Sequence, residues 1–271
     1  MFSSLAPARR RLALGSCAVV LILLVAAVIA VLAGRGDGQA TARAVPQDQP
    51  GPVLLVPGYG GSVSGLNVLA GRLREQGKDV EVLSLPGDGQ GDLAAQAKVL
   101  AAAAEAAIER TGAPSVDVVG YSAGGVVARL WLSQADGAAP VRRLISLGSP
   151  QHGTALASLG ALFAGQCPIA CQQLDPASDL LARLNSGSGS EVPEGPVSVS
   201  LWTARDQVVI PPESAVLAGA LNIRIQSVCP ASAVTHSGLL SDPLVAAMVA
   251  AQLQPSAPVP LTAHDCARLS S

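Results

Sequence analysis

The sequence predicts an α/β fold, a mostly parallel, doubly wound sheet flanked by helices. Three observations predict it. Short runs rich in branched apolar residues recur, as in Val53-Leu54-Leu55-Val56 and Val116-Asp117-Val118-Val119, the pattern of strands buried on both faces. Segments of helix length separate these runs, with apolar residues at helical spacing such as Leu66, Leu69, Ala70 and Leu73. Several runs end in clusters of glycine, serine and proline, where a chain leaves a buried strand and turns.

The elements follow in order. Arg9-Arg10-Arg11 precede an uncharged apolar run from Leu12 to Gly34, long enough to span a bilayer as a helix. Residues 1–34 read as a signal peptide cleaved after Val31-Leu32-Ala33, or as an uncleaved signal anchor with the arginines inside. Arg10-Arg11 also permits a twin-arginine signal. Leu14-Gly15-Ser16-Cys17 resembles a lipoprotein box only superficially, because its apolar core follows the cysteine. The favoured readings all place the rest of the chain outside the cytoplasm. Residues 35–51, polar and rich in Gly, Pro and Gln, read as a linker. Residues 52–271 then form one domain.

Within that domain, Val53–Val56 is a strand ending at Pro57-Gly58-Tyr59-Gly60-Gly61-Ser62, followed by a helix that stops near Gly77. Val80, Val82 and Leu83 give the next strand, then the loop Pro86–Gly91. Asp92 is placed to cap an alanine-rich helix running to Thr111-Gly112. The strand through Val116–Val119 ends in Gly120-Tyr121-Ser122-Ala123-Gly124, and the next helix carries Val126, Val127, Leu130 and Trp131. Val141–Leu147 is a strand closing on Gly148-Ser149-Pro150-Gln151-His152-Gly153-Thr154. A lid-like insertion occupies about 155–196: an apolar helix over Ala155–Ala164, a cysteine pair, a helix through Leu180, Leu181 and Leu184, and a Gly/Ser/Pro loop. Whether its first helix covers a site or simply packs on the sheet is open. Val197–Trp202 is a strand running into Arg205-Asp206-Gln207-Val208-Val209. Ile223–Val228 is expected as the last strand, and a helix runs from Asp242-Pro243 to about Leu253.

Composition excludes some functions. The net charge of −2 offers no electrostatic footprint for nucleic acid. Large rings are few, chiefly Tyr59, Tyr121, Phe163, Trp131 and Trp202. Of five cysteines, Cys17 lies in the apolar segment, leaving an even number for an oxidising compartment. Three pairings are possible. Cys167–Cys171 with Cys229–Cys266 is favoured, the second pinning the carboxyl-terminal tail. The spacing is not that of a zinc site, and neither metal nor cofactor is expected.

The chemistry centres on Ser122. A Gly-x-Ser-x-Gly turn between a buried strand and a helix holds its serine in a strained conformation with the hydroxyl clear of the backbone. Such a hydroxyl needs a base and an orienting acid. The chain has three histidines. His236 follows the last strand, where a base facing Ser122 belongs. His264 sits in the tail beside Cys266, and His152 precedes any acid in the order this arrangement requires. Asp206 follows a strand end and is the candidate acid; its alternative role is a turn residue. Asp175 and Asp179 fall in the insertion as solvated or capping residues, and Asp242 reads as a helix cap. The order Ser122, Asp206, His236 fits a nucleophile, acid and base set. Backbone N–H groups of Ala123, at a helix start, and Tyr59, in the glycine loop, are the candidate oxyanion donors. No lysine follows that loop, so it is not a phosphate cradle.

Five pieces in this order carry a family resemblance: Val-Pro-Gly-Tyr-Gly-Gly (56–61), Gly-Tyr-Ser-Ala-Gly-Gly (120–125), Gly-Ser-Pro-Gln-His-Gly-Thr (148–154), Asp-Gln-Val-Val (206–209) and Thr-His-Ser-Gly-Leu (235–239). Over roughly Val53 to Leu253 the chain resembles the secreted bacterial triacylglycerol lipase and esterase branch of the α/β-hydrolase superfamily. The resemblance implies an α/β-hydrolase fold and a serine carboxylic-ester hydrolase, with Ser122 as nucleophile, Asp206 as acid, His236 as base, and Tyr59 and Ala123 as oxyanion donors. Pro57-Gly58 stands where many such enzymes have His-Gly. The partners implied are an acyl-ester or lipid substrate and, if the amino-terminal helix is retained, the membrane. Two other readings use the same residues: an acyltransferase with an alcohol acceptor, and a non-catalytic binding protein on this fold.

Overall fold

The computed structural model describes residues 45–135, 139–162, 167–187 and 189–270. The apolar amino-terminal segment, with its signal or anchor reading, and the linker up to residue 44 lie outside these residues. The elements in chain order are β1 (Val53–Val56), α1 (Ser64–Glu75), β2 (Val80–Val82), α2 (Leu93–Thr111), β3 (Val116–Tyr121), α3 (Ala123–Gln134) and β4 (Val141–Leu147). There follow α4 (Ala155–Leu162), α5 (Ile169–Gln173), α6 (Asp179–Leu184), β5 (Val197–Trp202), β6 (Leu221–Arg224), α7 (Ile225–Val228), α8 (Pro243–Gln252) and α9 (Cys266–Leu269).

The six strands form one sheet in the order β2-β1-β3-β4-β5-β6, and every pairing is parallel. Alternation along β1 divides the core. Val53 and Leu55 pack with Leu66, Leu69 and Leu73 of α1 and with Val245 and Val249 of α8. Leu54 and Val56 pack on the other face with Leu93 and Leu100 of α2 and with Val126 and Val127 of α3. All four β1 side chains are fully buried, which accounts for the unbroken apolar run. Each contributes about 1.5–3 kcal/mol of transfer free energy.

The helix after β1 therefore covers one face, while those after β2 and β3 cover the other. Chain direction diverges between the neighbouring carboxyl ends of β1 and β3. A parallel sheet opens a crevice at such a switch point, and the Tyr59 loop and Ser122 both leave from it.

Helix boundaries follow local chemistry. The Asp92 carboxylate accepts from Ala94 N–H at 3.2 Å, and Asp242 accepts from Leu244 N–H at 2.8 Å with Pro243 in the first helical position.

One expected strand is corrected. The chain is extended only through Arg224, and Ile225–Val228 forms a helical turn. Ile225 and Val228, three residues apart, are both fully buried, a spacing that one turn of helix satisfies and a strand does not. Gln226 is thereby turned to accept from Ala204 N–H at 2.9 Å and to donate to Thr203 Oγ1 at 2.9 Å. The insertion also holds the unexpected helix α5. It is tied to the body by Ala170 N–H donating to Gln90 O at 3.1 Å, and by Gln173 bridging Leu93 N–H and the Asp92 carboxylate at 2.8 and 2.7 Å.

At the opposite end of the sheet from the crevice, β4 carries two fully buried arginines, Arg142 and Arg143. Arg142 pairs through two nitrogens with the Asp117 carboxylate on β3, and donates to Gln47 O, Gln254 O and Leu253 O at 2.9, 2.9 and 3.1 Å. Arg143 donates to Gln47 Oε1 and to the carbonyls of Gln252 and Ser256. Lys78 adds a bond to Leu253 O at 3.2 Å. These cations collect on the carbonyls of Gln252, at the end of α8, and of the residues that follow it, where the negative end of the helix dipole lies. Burial pushes the Asp117 carboxyl up, against the pull of Arg142, and holds the Lys78 ammonium below its usual range. Gln47 belongs to the segment read as a linker, so from Val45 onward that segment is held on the body by these arginines.

Candidate active site

Ser122 sits between β3 and α3 with φ 52° and ψ −126°. Among the described residues, only it and Asp88 are non-glycine residues with positive φ. Such backbone costs on the order of 1–3 kcal/mol and persists only where the surroundings impose it. Two close approaches impose it here. A Cβ on Gly120 would stand 2.5 Å from the Cα of Gly125, and one on Gly124 would overlap the carbonyl oxygen of Val56. The pentapeptide thus needs glycine at both ends because strand and helix meet without room for side chains. Ser122 N–H donates to Leu147 O at 2.9 Å, which registers the turn against the end of β4.

Asp206 and His236 come from the loops after β5 and β6. His236 Nδ1 lies 2.7 Å from Asp206 Oδ2, and both side chains are buried. The other carboxylate oxygen accepts from the N–H groups of Val208 and Val209 at 2.9 and 2.8 Å. The pair stands next to the serine turn: Tyr121 Oη donates to His236 O at 3.3 Å, and the two rings lie 5.0 Å apart. Burial, with the charge of Asp206, raises the Tyr121 phenol above its usual range, so it stays a neutral donor. With Nδ1 facing the carboxylate, the imidazole proton sits there and Nε2 is left as the acceptor.

Ser122 opens onto a cavity of 270 Å³ whose other walls include Tyr59, Leu156, Ala157, Leu174 and Val209. The walls are mainly apolar, and Tyr59, Leu156 and Val208 are each at least 40% exposed at its edge. No described residue accepts a hydrogen bond from the N–H of Tyr59 or of Ala123.

The remaining histidines lie elsewhere. His152 Nε2 meets Glu191 Oε1 at 2.8 Å and its Nδ1 faces Ser214 O at 3.2 Å, so it braces two loops. Partial burial works against the charge of Glu191. Hydrogen bonds from Ala218 N–H and His152, aided by the charges of His152 and Arg129, outweigh burial and hold the carboxyl below its usual range. His264 is exposed on the tail. Asp179 lies in the first turn of α6, capped by Ser178. Asp175 accepts from Ala177 N–H at 2.8 Å, as a turn residue does.

Several residues that support the site were not singled out from sequence. Thr203 Oγ1 donates to Val234 O at 2.6 Å, joining the loop of Asp206 to the loop of His236. Thr154 Oγ1 donates to Val208 O at 2.6 Å. Gly148, at φ 53°, lies under the pair: a Cβ there would be 3.2 Å from Asp206 Oδ2 and 3.3 Å from His236 Nδ1. Arg129 of α3 is buried and donates to Glu191 O, Leu184 O and Asn185 Oδ1 at 2.9, 2.6 and 2.7 Å. It ties the insertion to the helix that starts at Ser122, and burial lowers its guanidinium to about 10. Only Gly148 carried a local signal, a glycine at the very end of a buried strand.

Two disulfides are present, Cys167–Cys171 and Cys229–Cys266. Among the described residues, no group of three or more His, Cys, Asp or Glu could hold a metal ion. No described helix is long and apolar enough to cross a membrane.

Comparison with known proteins gives the class of fold. Residues 51–166 match the family model described as the alpha/beta hydrolase fold. Lipase B of Aspergillus fumigatus superposes with a TM-score of 0.65 at 20% identity, over 87% of this chain and 58% of that one. A Bacillus licheniformis lipase, BlEst2 in its mature form, gives 0.54 at 21% identity over 67% of this chain and 85% of its own. An alpha/beta hydrolase from a metagenome of Moroccan lagoon sediments gives 0.50 at 18% identity over 72% and 86%. No curated protein matches the chain by sequence. The chain has the α/β-hydrolase fold, and its structural neighbours at low identity include lipases. It spans 58% of the length of the Aspergillus lipase.

Proposed function

We propose that this chain is a serine carboxylic-ester hydrolase acting on acyl esters of lipid type outside the cytoplasm. The observation that carries the reading is the buried Asp206–His236 pair, 2.7 Å apart, set beside a serine held at positive φ. Ser122 Oγ attacks the ester carbonyl carbon while His236 Nε2 takes its proton. The negative charge gathering on the carbonyl oxygen is met by the N–H groups of Tyr59 and Ala123, each worth on the order of 3 kcal/mol in the barrier. As the C–O bond breaks, His236 returns the proton to the departing alcohol, leaving an acyl group on Ser122. Water, deprotonated by His236, then releases the acid. Asp206 holds the imidazole in its tautomer and stabilises the imidazolium.

The apolar cavity at Ser122 supports an acyl chain as the group accepted, and the insertion contributes Leu156, Ala157, Cys171 and Leu174 to its wall. Two disulfides and the basic, then apolar, amino-terminal sequence support work in an oxidising compartment, either anchored or released. Replacing Ser122 by alanine should abolish p-nitrophenyl ester turnover and fluorophosphonate labelling while the circular dichroism spectrum is kept. Turnover retained by that variant would sink the reading. Labelling of membrane and medium fractions reports whether the protein is anchored.

A further inference from the structure

We infer that the seat of α4 on the Cys167–Cys171 disulfide, made at Gly160, sets the length of acyl chain this protein accepts. This rests on the reading of Ser122 as nucleophile.

Gly160 and Cys171 line the same cavity as Ser122. The sulfurs of Cys167 and Cys171 lie 3.9 and 3.8 Å from Ala157 O, one turn earlier on α4. A Cβ at position 160 would meet Cys171 Sγ at 3.2 Å and Cys167 Cβ at 3.8 Å. Helix and disulfide therefore approach backbone to sulfur, and any side chain at 160 presses on the bridge. The disulfide does not yield easily, because α5 beneath it is fastened through Ala170 to Gln90 and through Gln173 to Asp92 and Leu93. A bridge between residues only four apart restrains the unfolded chain little compared with the 37-residue separation of Cys229 and Cys266. Its position as a pocket wall is the role left for it.

The wall forms one side of this cavity, whose volume is 270 Å³. A larger residue at 160 presses on the disulfide and displaces this wall, and loss of the two sulfurs gives the cavity room.

The test is the kcat/KM profile for p-nitrophenyl esters from acetate to palmitate. It is read for the wild-type protein, Gly160→Val, and the double variant Cys167→Ala/Cys171→Ala. Gly160→Val should raise the butanoate-to-octanoate ratio by about tenfold, the discrimination that one or two methylenes in an apolar pocket supply. The double variant should shift the peak towards laurate and longer esters. A profile unmoved in Gly160→Val overturns the inference. Should the double variant not fold, the profile of Gly160→Val decides alone. A small fluorophosphonate separates the two levels: a wild type that neither reacts with it nor cleaves esters removes the underlying reading, whereas labelling with an unmoved profile removes only this inference.

Discussion

Asp206 divides its carboxylate between two tasks: Oδ2 meets His236 Nδ1 at 2.7 Å while Oδ1 is held by the N–H groups of Val208 and Val209. The carboxylate is thus held by its own loop as well as by His236. An amide at this position would keep the shape but present a donor or a weaker acceptor to the imidazole. Asp206→Asn should lower kcat on p-nitrophenyl esters by about 10³–10⁴-fold with little change in Tm. A loss smaller than about tenfold would mean that Asp206 is not the orienting acid.

Gly148 tests the geometry from below. Its φ of 53° strains any other residue, and a Cβ would press on Leu239 Cδ1 at 2.5 Å. Gly148→Ala should cost about 1–3 kcal/mol of stability. Because Asp206 and His236 are the next contacts, kcat should fall more than KM changes. Steady-state kinetics beside thermal melts separate the two effects.

Arg129 links the helix of the serine turn to the insertion. Its truncation to alanine leaves the carbonyls of Leu184 and Glu191 without their buried donor. A loss of about 3 kcal/mol is expected. For a domain of this size, that lowers Tm by roughly 6–12 °C. Limited proteolysis should then cut first within residues 185–196. A variant as stable as the wild type would show that the link carries no energy.

Glu191 makes part of the stability depend on pH. Its carboxyl is held below the usual glutamate range, so the folded form binds its proton less readily than the unfolded one. The resulting stabilisation is complete above the unfolded value of about 4.3. It is lost as pH falls through the depressed folded value. The Tm difference between wild type and Glu191→Gln should be largest above about pH 5 and shrink below about pH 4. A difference that does not vary with pH would show that the Ala218 and His152 bonds do not act through the charge.

Much of the architecture was legible because its causes are local. The run Val53–Val56 is apolar at every position since both faces of β1 are covered, and Gly120 and Gly124 are glycine since strand and helix collide there. The caps at Asp92 and Asp242 need only a side chain two residues from the N–H it accepts. Other features were not legible. Arg142 and Arg143 break the pattern of a buried strand, yet they are buried against Asp117 on the neighbouring strand and against carbonyls more than 90 residues away. Ile225–Val228 has the branched residues of a strand, but tertiary contacts through Gln226 and two buried side chains turn it into helix.

The sequence by itself determined the succession of the first five strands and of the long helices between them, the tight turn at Ser122, and the order in which Ser122, Asp206 and His236 appear. Each depends on residues within a few positions of one another, or simply on succession along the chain. The tertiary structure decided which of the histidines meets which carboxylate, His236 with Asp206 and His152 with Glu191. It also decided that Gly160 rests on a disulfide beside the cavity of Ser122. These pairings join segments that are far apart along the chain, and which segments meet is a property of packing in three dimensions, which spacing along the chain does not encode.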